Sequence, residues 1–380
     1  MSDTGVKTAD LADLLAEPGP WTTVVVDGRG GRPQAEELAR RRAVTETLGD
    51  LGAPGDDVRA VAEALDEGDG LPSPSTRVLL VRGGRAVLDE SFVGARRGGE
   101  VLEHGPLPRI LPLLRHRAGV VPYLVVETAR EGARLSLCQA QRGARDTETT
   151  EIEGRTDSLN KVQAGGWSHR RYQNHSEDIW EHNQAEVAEA VDRLVRERRP
   201  RFVVVAGDVR ARQLLLERLA LASRGLVLEV DAHTKAEGSD DGALDDAVSR
   251  AVQAGIDAEI AEARDRAAAG HGASGARGFG DVVAALQQAR VDTLLLDARL
   301  ADSDETLVAL DTQPWIARQR GDELAAGSLG PVQAAEALAR AAVLSGARVL
   351  VIEDDLPDGE PRDGRPPAEP LASLRWADGG

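Results

Sequence analysis

The amino-acid sequence predicts a mixed α/β protein with several domains. Its 380 residues are enough to build two or three hydrophobic cores. Short runs rich in Val, Leu and Ile alternate along the chain with longer segments whose apolar residues recur at helical spacing. Breaks rich in Gly and Pro separate these regions, so we expect an N-terminal α/β domain at 1–118, a middle domain at 119–268 and a C-terminal domain at 269–380.

The first region combines helices with an antiparallel hairpin. Two strand-like runs flank Gly83-Gly84, a dipeptide typical of a tight hairpin turn. These glycines are therefore interpreted as turn residues. The expected elements are helices at Thr8–Ala16, Gln34–Leu48 and Asp56–Leu65, and strands at Trp21–Val26, Arg77–Arg82 and Arg85–Phe92.

The apolar pattern of the middle region predicts three strands followed by a helix, a strand, a helix and a strand. This order predicts a meander extended by buried parallel strands, with helices packed against the sheet. Trp180, Val187, Val191 and Leu194 repeat at helical spacing and are expected in one core. The expected strands are Pro122–Thr128, Ala133–Gln141, Thr147–Glu153, Phe202–Ala206 and Leu226–Val230, with helices at Ser176–Arg199 and Leu214–Leu221.

The last region again alternates helices and strands. Gly270–Gly280 favours a flexible junction over an anion-binding loop, and Asp354–Pro370 has the composition of a disordered loop. The expected helices are Asp240–Ala269, Asp281–Ala289 and Val332–Leu344, and the expected strands are Val291–Asp297, Arg348–Ile352 and Ala372–Trp376.

The composition restricts the possible partners. Lys and Arg number 46 against 64 Asp and Glu, for a net charge of -18, so a general nucleic-acid-coating role is not expected. Docking through one basic surface remains possible, because the Debye length of about 8 Å at physiological salt makes fields local. No apolar run approaches the ~20 residues of a membrane span, and a cytoplasmic protein without membrane contact is expected.

One basic segment inverts this acidic balance. No acidic residue occurs from Lys161 to His175. Adjacent glycines allow close approach of a partner, and Trp and Tyr beside Arg offer stacking surfaces for unpaired bases. The segment predicts a mobile RNA-contacting loop, with a solvated surface loop as the alternative. The candidate nucleic-acid-binding residues are Lys161, Gly165, Gly166, Trp167, Ser168, His169, Arg170, Arg171, Tyr172 and Gln173.

The segment resembles the Gly-Gly-Gln loop of archaeal and eukaryotic class-1 release factors. Gly165, Gly166, Ser168, Arg170 and Arg171 match that loop, and a long helix follows as it does in the family. The run Arg201–Asp208 is similar to the family's next strand and its Ala-Gly turn. The chain, over roughly residues 120 to 380, is identified as a bacterial relative of these factors and Pelota, in the group that includes the ribosome-hibernation factor Balon.

The resemblance implies a fold and a set of partners. It implies a ribonuclease-H-like middle domain and a C-terminal α/β/α domain like ribosomal proteins L7Ae and L30e. It also implies binding to the ribosome, through rRNA in a vacant A site, with the loop directed at the peptidyl-transferase centre. A translational GTPase such as elongation factor Tu is a further implied partner. No cofactor is expected.

Two function classes stay open, a non-catalytic ribosome-binding factor and a peptidyl-tRNA hydrolase or rescue factor using the same loop. Trp167 stands where the family's Gln helps to position water, and an indole N–H donates but cannot accept. This substitution favours the non-catalytic class, and we assign no catalytic residue.

Other chemistry finds little support in the sequence. Gly28, Gly30 and Gly31 lack the order of a dinucleotide-binding motif, and the single cysteine, Cys138, is expected as a small buried strand residue. No metal is expected, because the histidines and carboxylates near the basic segment lack a metal-binding spacing. These residues are His169, His175, Glu177, Asp178, Glu181 and His182.

Overall fold

The structure is a computed structural model of the chain. It describes residues 8–17, 19–30, 32–71, 73–118, 120–129, 131–140, 148–153, 169–230, 241–269, 274–322, 325–353 and 369–376; for 8–10, 148–153, 169–179, 241–245 and 269 only the backbone is described. The chain divides into two compact units, one of Met1–Ala118 with Ile256–Gly380 and one of Gly119–Gly255. The three-domain division remains a prediction.

The N-terminal part of the first unit is a four-stranded antiparallel sheet with helices, in the strand order β3-β2-β1-β4. Gly83 and Gly84 turn between β2 and β3 with φ of 57° and 72°, which confirms the hairpin. Strand β4 and helix α4 were not expected, since both are short. The elements are α1 Thr8–Ala16, β1 Trp21–Asp27, α2 Gln34–Asp50, α3 Gly55–Asp66, β2 Ser75–Arg82, β3 Arg85–Val93, β4 Val101–Gly105 and α4 Leu111–Arg117.

The second unit is built on a five-stranded sheet in the order β7-β6-β5-β8-β9. Strands β5, β6 and β7 form an antiparallel meander, and β8 and β9 extend it in parallel with β5. This is the meander extended by parallel strands that the sequence predicts. The elements are β5 Pro122–Ala129, β6 Gly132–Gln139, β7 Glu148–Glu153, α5 His169–Arg198, β8 Val203–Gly207, α6 Val209–Arg218, α7 Leu221–Arg224 and β9 Val227–Glu229.

Three of the elements expected in the second unit differ in the structure. The helix expected at Leu214–Leu221 runs instead over Val209–Arg218, because the Asp208 carboxylate caps it by accepting hydrogen bonds from the amides of Arg210 and Ala211. Strand β9 is an edge strand with exposed Leu228, not a buried one. Helix α5 begins at His169 rather than at Ser176.

The C-terminal part of the first unit carries two small sheets, in the orders β10-β16-β11-β15 and β13-β12-β14. Strands β10, β12, β13 and β14 were not expected, and Gly275–Arg277, expected in a flexible junction, pairs with β16. The elements are α8 Asp241–Ala269, β10 Gly275–Arg277, α9 Gly278–Gln287, β11 Val291–Asp297, a 3-10 helix Ala298–Asp302, β12 Thr306–Leu310, β13 Ile316–Ala317, β14 Ser328–Gln333, α10 Ala334–Leu344, β15 Arg348–Ile352 and β16 Leu371–Leu374.

Helix α10 is the centre of this unit and is buried on all sides. Its Glu336 is 3% exposed and is stabilised by hydrogen bonds from Arg109 Nε at 3.0 Å and from the amides of Ile110 and Leu111 at 2.9 and 3.1 Å. These amides belong to the start of α4, so one buried carboxylate satisfies donors that the helix itself leaves unpaired. Among the helices that the structure describes, none is both long and apolar enough to cross a membrane.

Candidate nucleic-acid interface

Half of the predicted RNA-contacting residues lie outside the described part of the chain. These are Lys161, Gly165, Gly166, Trp167 and Ser168. The other half, His169, Arg170, Arg171, Tyr172 and Gln173, form the first turns of α5, where the backbone is described and the side chains are not. Their expected loop conformation is therefore wrong: Arg and Gln favour helix, and neither Gly nor Pro interrupts 169–175.

Helix α5 is fixed on the sheet by its C-terminal half. Val187 and Val191 are fully buried and pack in one core with Leu124, Val126 and Leu135 of β5 and β6. Leu194 and Val195 cover the edge of that core. The periodicity of the sequence therefore locates the buried face of this half correctly.

Trp180 is only half-buried, contrary to the sequence expectation of a core residue. It lies before Asn183 and Gln184, which are 1% and 0% exposed and are the first buried side chains along the described part of α5. At 1.5 Å per residue, the 14 residues from His169 to Asn183 span about 21 Å. The predicted RNA-contacting residues thus belong to the end of α5 remote from its buried contacts.

A hydrogen-bonded junction holds α5 at the carboxyl end of β5. The Thr128 hydroxyl donates to Gln184 Oε1 at 2.8 Å, and Gln184 Nε2 donates to the carbonyl of Ala129 at 2.8 Å. The buried amide of Gln184 is thereby satisfied at both its oxygen and its nitrogen. A Gln on the helix gives no sign of burial in the sequence, so this residue was missed.

Gly207 lets β8 approach this junction. A Cβ built at Gly207, whose φ is +115°, would lie 2.0 Å from the carbonyl oxygen of Thr128. The same carbonyl accepts a hydrogen bond from the Asp208 amide at 3.0 Å. The Ala-Gly turn singled out in the sequence is therefore required by backbone packing and carries no catalytic group.

Glu181 and His182 on this helix each lie close to one charged side chain. Glu181 Oε2 lies 2.7 Å from Arg218 Nη2 on α6, and the exposed His182 Nε2 lies 3.4 Å from Glu186 Oε1. No group of three or more His, Cys, Asp or Glu side chains able to hold a metal occurs in the described part of the chain. His169, His175, Glu177 and Asp178 have side chains outside that part.

The structure also places two glycines and the cysteine that were singled out in the sequence. Gly28 packs against Ser75, where a Cβ would lie 2.0 Å from the Ser75 hydroxyl oxygen, and Gly30 takes a positive φ of 56°. Gly31 lies outside the described residues. Cys138 is half-buried rather than buried, with its Sγ 3.7 Å from the carbonyl of Ser136.

The second unit combines a meander, a βαβ arrangement and the long helix α5. A family comparison adds to this description. Residues 122–273 match the model of bacterial archaeo-eukaryotic release factor family 2, so this part of the chain is similar to that family.

Two Mycobacterium tuberculosis proteins are similar over nearly the whole chain. They are the uncharacterized proteins Rv2629 and MT2704, from two strains. Each is 26% identical over 358 residues, covering 92% of this chain and 93% of the relative.

Solved structures with some likeness include the following three. The archaeal translation termination factor aRF1 has a TM-score of 0.26 at 17% identity, covering 97% of both chains. Archaeoglobus fulgidus Pelota has a TM-score of 0.37 at 16% identity, covering 80% of both chains. Saccharomyces cerevisiae Dom34, described as a translation-termination-like factor that interacts with Hbs1, has a TM-score of 0.41 at 11% identity, covering 80% of this chain and 79% of its own.

Proposed function

We propose that this protein is a ribosome-binding factor that occupies the vacant A site and directs its Gly-Gly-Trp segment at the peptidyl-transferase centre without releasing peptide. The proposal rests on the sequence position of Gly165-Gly166-Trp167, one residue before α5 begins at His169. Helix α5 itself is held on the sheet by Gln184 and by the contacts of Val187 and Val191.

The identity of residue 167, a tryptophan, supports a non-catalytic function. Peptide release requires a group that positions water beside the ester, and a Gln amide can both donate and accept for this purpose. The Trp167 indole only donates, and its ring favours stacking on bases instead. A stacked, bulky side chain in the peptidyl-transferase centre would block substrate binding, which is the action of a hibernation factor in the cytoplasm.

The resemblance to the release-factor family adds a partner of a particular kind. A translational GTPase such as elongation factor Tu would deliver the protein to the A site. Formation of a ternary complex of the protein, the GTPase with a non-hydrolysable GTP analogue and 70S ribosomes would support this partner. Unchanged ribosome association on addition of the GTPase would argue against it.

Ribosome binding can be tested by co-sedimentation of the purified protein with vacant 70S ribosomes. Arg170→Glu with Arg171→Glu should weaken binding at least about tenfold and reduce its salt dependence, because phosphate contacts release counterions. The matched control is Arg42→Glu with Arg264→Glu, which reverses two exposed arginines outside this site. If both double variants bind ribosomes equally well, the basic segment does not contact the ribosome.

The non-catalytic class can be tested with ribosomes carrying peptidyl-tRNA. The wild-type protein should release little or no peptide, and Trp167→Gln, which restores the family's residue, should release more. Rapid release by the wild type that is lost in Gly166→Ala would instead establish the peptidyl-tRNA hydrolase function.

A further inference from the structure

A second group of basic residues lies at the opposite end of α5 from the predicted RNA-contacting residues. Five arginines occur between positions 193 and 201, and all five are exposed. We call them the distal arginine patch. They are Arg193, Arg196, Arg198, Arg199 and Arg201.

Stabilisation of the helix dipole accounts for only part of this patch. Cations favour a helix C-terminus, but the effect falls off within the last turn. Helix α5 ends at Arg198, so Arg193 lies before its last turn, and Arg199 and Arg201 lie beyond the helix. Arg196 and Arg198 are the two that the dipole explains.

The residues next to the patch in sequence carry fewer negative charges than the patch carries positive charges. Between 192 and 201 only Asp192 and Glu197 are acidic, against five arginines. The Asp192 carboxylate is already engaged, since both its oxygens accept from the Ala220 amide at 3.2 and 3.3 Å. Arg193, Arg196 and Arg199 form no ion pair with any described residue; Arg196 Nε donates to the Asp192 carbonyl at 3.2 Å.

The sign of charge alternates along α5. Arg170 and Arg171 lie in its first turn, Glu181, Glu186 and Glu189 along its middle, and the distal arginine patch at its end. The 25 residues from Arg171 to Arg196 span about 38 Å of helix. Two groups of arginines separated along one helix fit a large polyanion better than a small anion.

The chemistry of the patch favours the phosphate backbone of RNA. Every cation in it is an arginine, whose planar guanidinium can bind phosphate through two parallel hydrogen bonds. An aromatic side chain lies where strands β5 and β8 begin: the half-buried Tyr123 ring stacks on Phe202 with ring centroids 5.3 Å apart, and the Arg201 amide donates to the Pro122 carbonyl. Such a combination of arginine and aromatic groups is typical of RNA-contacting surfaces.

We propose that the distal arginine patch is a second RNA-backbone contact, about 38 Å along α5 from the first. The identification of the RNA as ribosomal rests on the proposed function. The patch would fix the orientation of the middle unit on rRNA by phosphate contacts, which position a protein without reading sequence.

The test compares two triple variants with the same change in net charge. Arg193→Glu, Arg196→Glu and Arg199→Glu alter the patch, whereas Arg42→Glu, Arg250→Glu and Arg264→Glu alter three exposed arginines elsewhere. Thermal unfolding is measured first to show that both fold. Binding is then measured against vacant 70S ribosomes and against a generic RNA duplex over a range of salt concentrations.

The patch variant should bind both probes at least about tenfold more weakly than the control variant. Its slope of log K against log salt should be smaller by about 2 to 3, as expected when about three phosphate contacts are lost. Equal affinity and equal slope for the two triple variants would overturn the proposal. If Arg170→Glu with Arg171→Glu still weakens ribosome binding in that case, the proposed function survives.

Two further binding results would distinguish an RNA contact outside the ribosome and a membrane contact from the proposed rRNA contact. Failure of the wild type to bind 70S ribosomes, with patch-dependent binding to the duplex, would overturn the proposed function and keep the RNA contact. Binding to vesicles containing phosphatidylserine that depends on both the patch and Leu221, which is 88% exposed on α7, would make the surface a membrane contact and overturn the RNA assignment. Leu221→Ser should leave RNA binding unchanged.

Discussion

Gln184 and Thr128 are joined by a buried hydrogen bond of 2.8 Å that ties helix α5 to the end of strand β5. Both side chains are at most 2% exposed. The bond lies between the proposed RNA-contacting end of α5 and the apolar contacts of its C-terminal half. The junction therefore sets the direction in which α5 presents that end.

Gln184→Leu should lower the free energy of unfolding by about 1–3 kcal/mol, because it leaves the Thr128 hydroxyl and the Ala129 carbonyl without their partner. Thr128→Val should be destabilising on its own, since it leaves the buried Gln184 oxygen unpaired. The free energy of unfolding of the double variant should fall by less than the sum of the decreases in the two single variants. Urea unfolding of the four proteins measures this coupling, and strict additivity would show that the two residues do not act together.

Trp180 and Trp167 should differ in their contribution to stability. Trp180→Ala should lower the free energy of unfolding by roughly 1–3 kcal/mol, because the side chain is half-buried. Removal of a fully buried ring would lower it by ~3–5 kcal/mol. Trp167→Ala should leave the free energy of unfolding nearly unchanged and weaken ribosome binding. A large loss of stability in Trp167→Ala would make that residue part of a core and would contradict the RNA-contacting role.

The sequence predicts the second unit well where the apolar pattern alone decides the structure. The Val-rich runs of β5 and β8 and the helical spacing of Val187 and Val191 identify the sheet and the packed face of α5. The pattern fails where polar residues are buried. Arg212 on α6 is 6% exposed and donates to the Val230 carbonyl at 3.1 Å, so the start of that helix lacks an apolar periodicity.

The missed strands of the C-terminal part depend on contacts distant in sequence. Strand β13 has two residues and β14 contains Gly330-Pro331, and both are ordered by pairing with β12. For the candidate site, the sequence predicts the basic segment and its glycines, and this remains a prediction. It does not reveal Gln184, since an amide on a helix is usually exposed, or the distal arginine patch, since arginines after a long helix are typical of its C-terminus.

Gly207→Ala should destabilise the protein by more than about 3 kcal/mol. The new Cβ would lie 2.0 Å from the Thr128 carbonyl oxygen, and the φ of +115° is itself unfavourable for any other residue. Gly255→Ala is the matched control, because this glycine lies inside α8 and a Cβ there would meet no heavy atom within 4 Å beyond its own helix backbone. The control should be neutral or stabilising by about 0.5–1 kcal/mol. Similar unfolding midpoints for the two variants would contradict the close approach of β8 to Thr128.

His116 should make the folded state sensitive to acid. Burial, followed by the nearby charges of Arg97 and Arg115, lowers the pKa of His116 from 6.5 to about 4. The ring is 2% exposed, stacks on Phe92 at 5.2 Å, and its Nε2 accepts a hydrogen bond from the Arg97 amide at 3.3 Å. The fold therefore holds the neutral imidazole.

Between pH 6.5 and about 4 the unfolded chain binds a proton at this histidine that the folded chain does not, so stability falls as the pH is lowered through this window. His116 therefore lowers the free energy of unfolding by about 2 kcal/mol between pH 7 and 5, since one pKa unit corresponds to about 1.4 kcal/mol.

His116→Phe keeps an aromatic ring against Phe92 and removes the titrating group. Its free energy of unfolding, measured in urea at pH 7 and 5, should fall by about 2 kcal/mol less than that of the wild type. His182→Gln removes an exposed imidazole as the control. If the free energy of unfolding falls by the same amount from pH 7 to pH 5 in the wild type and in His116→Phe, the destabilisation by acid arises at other groups.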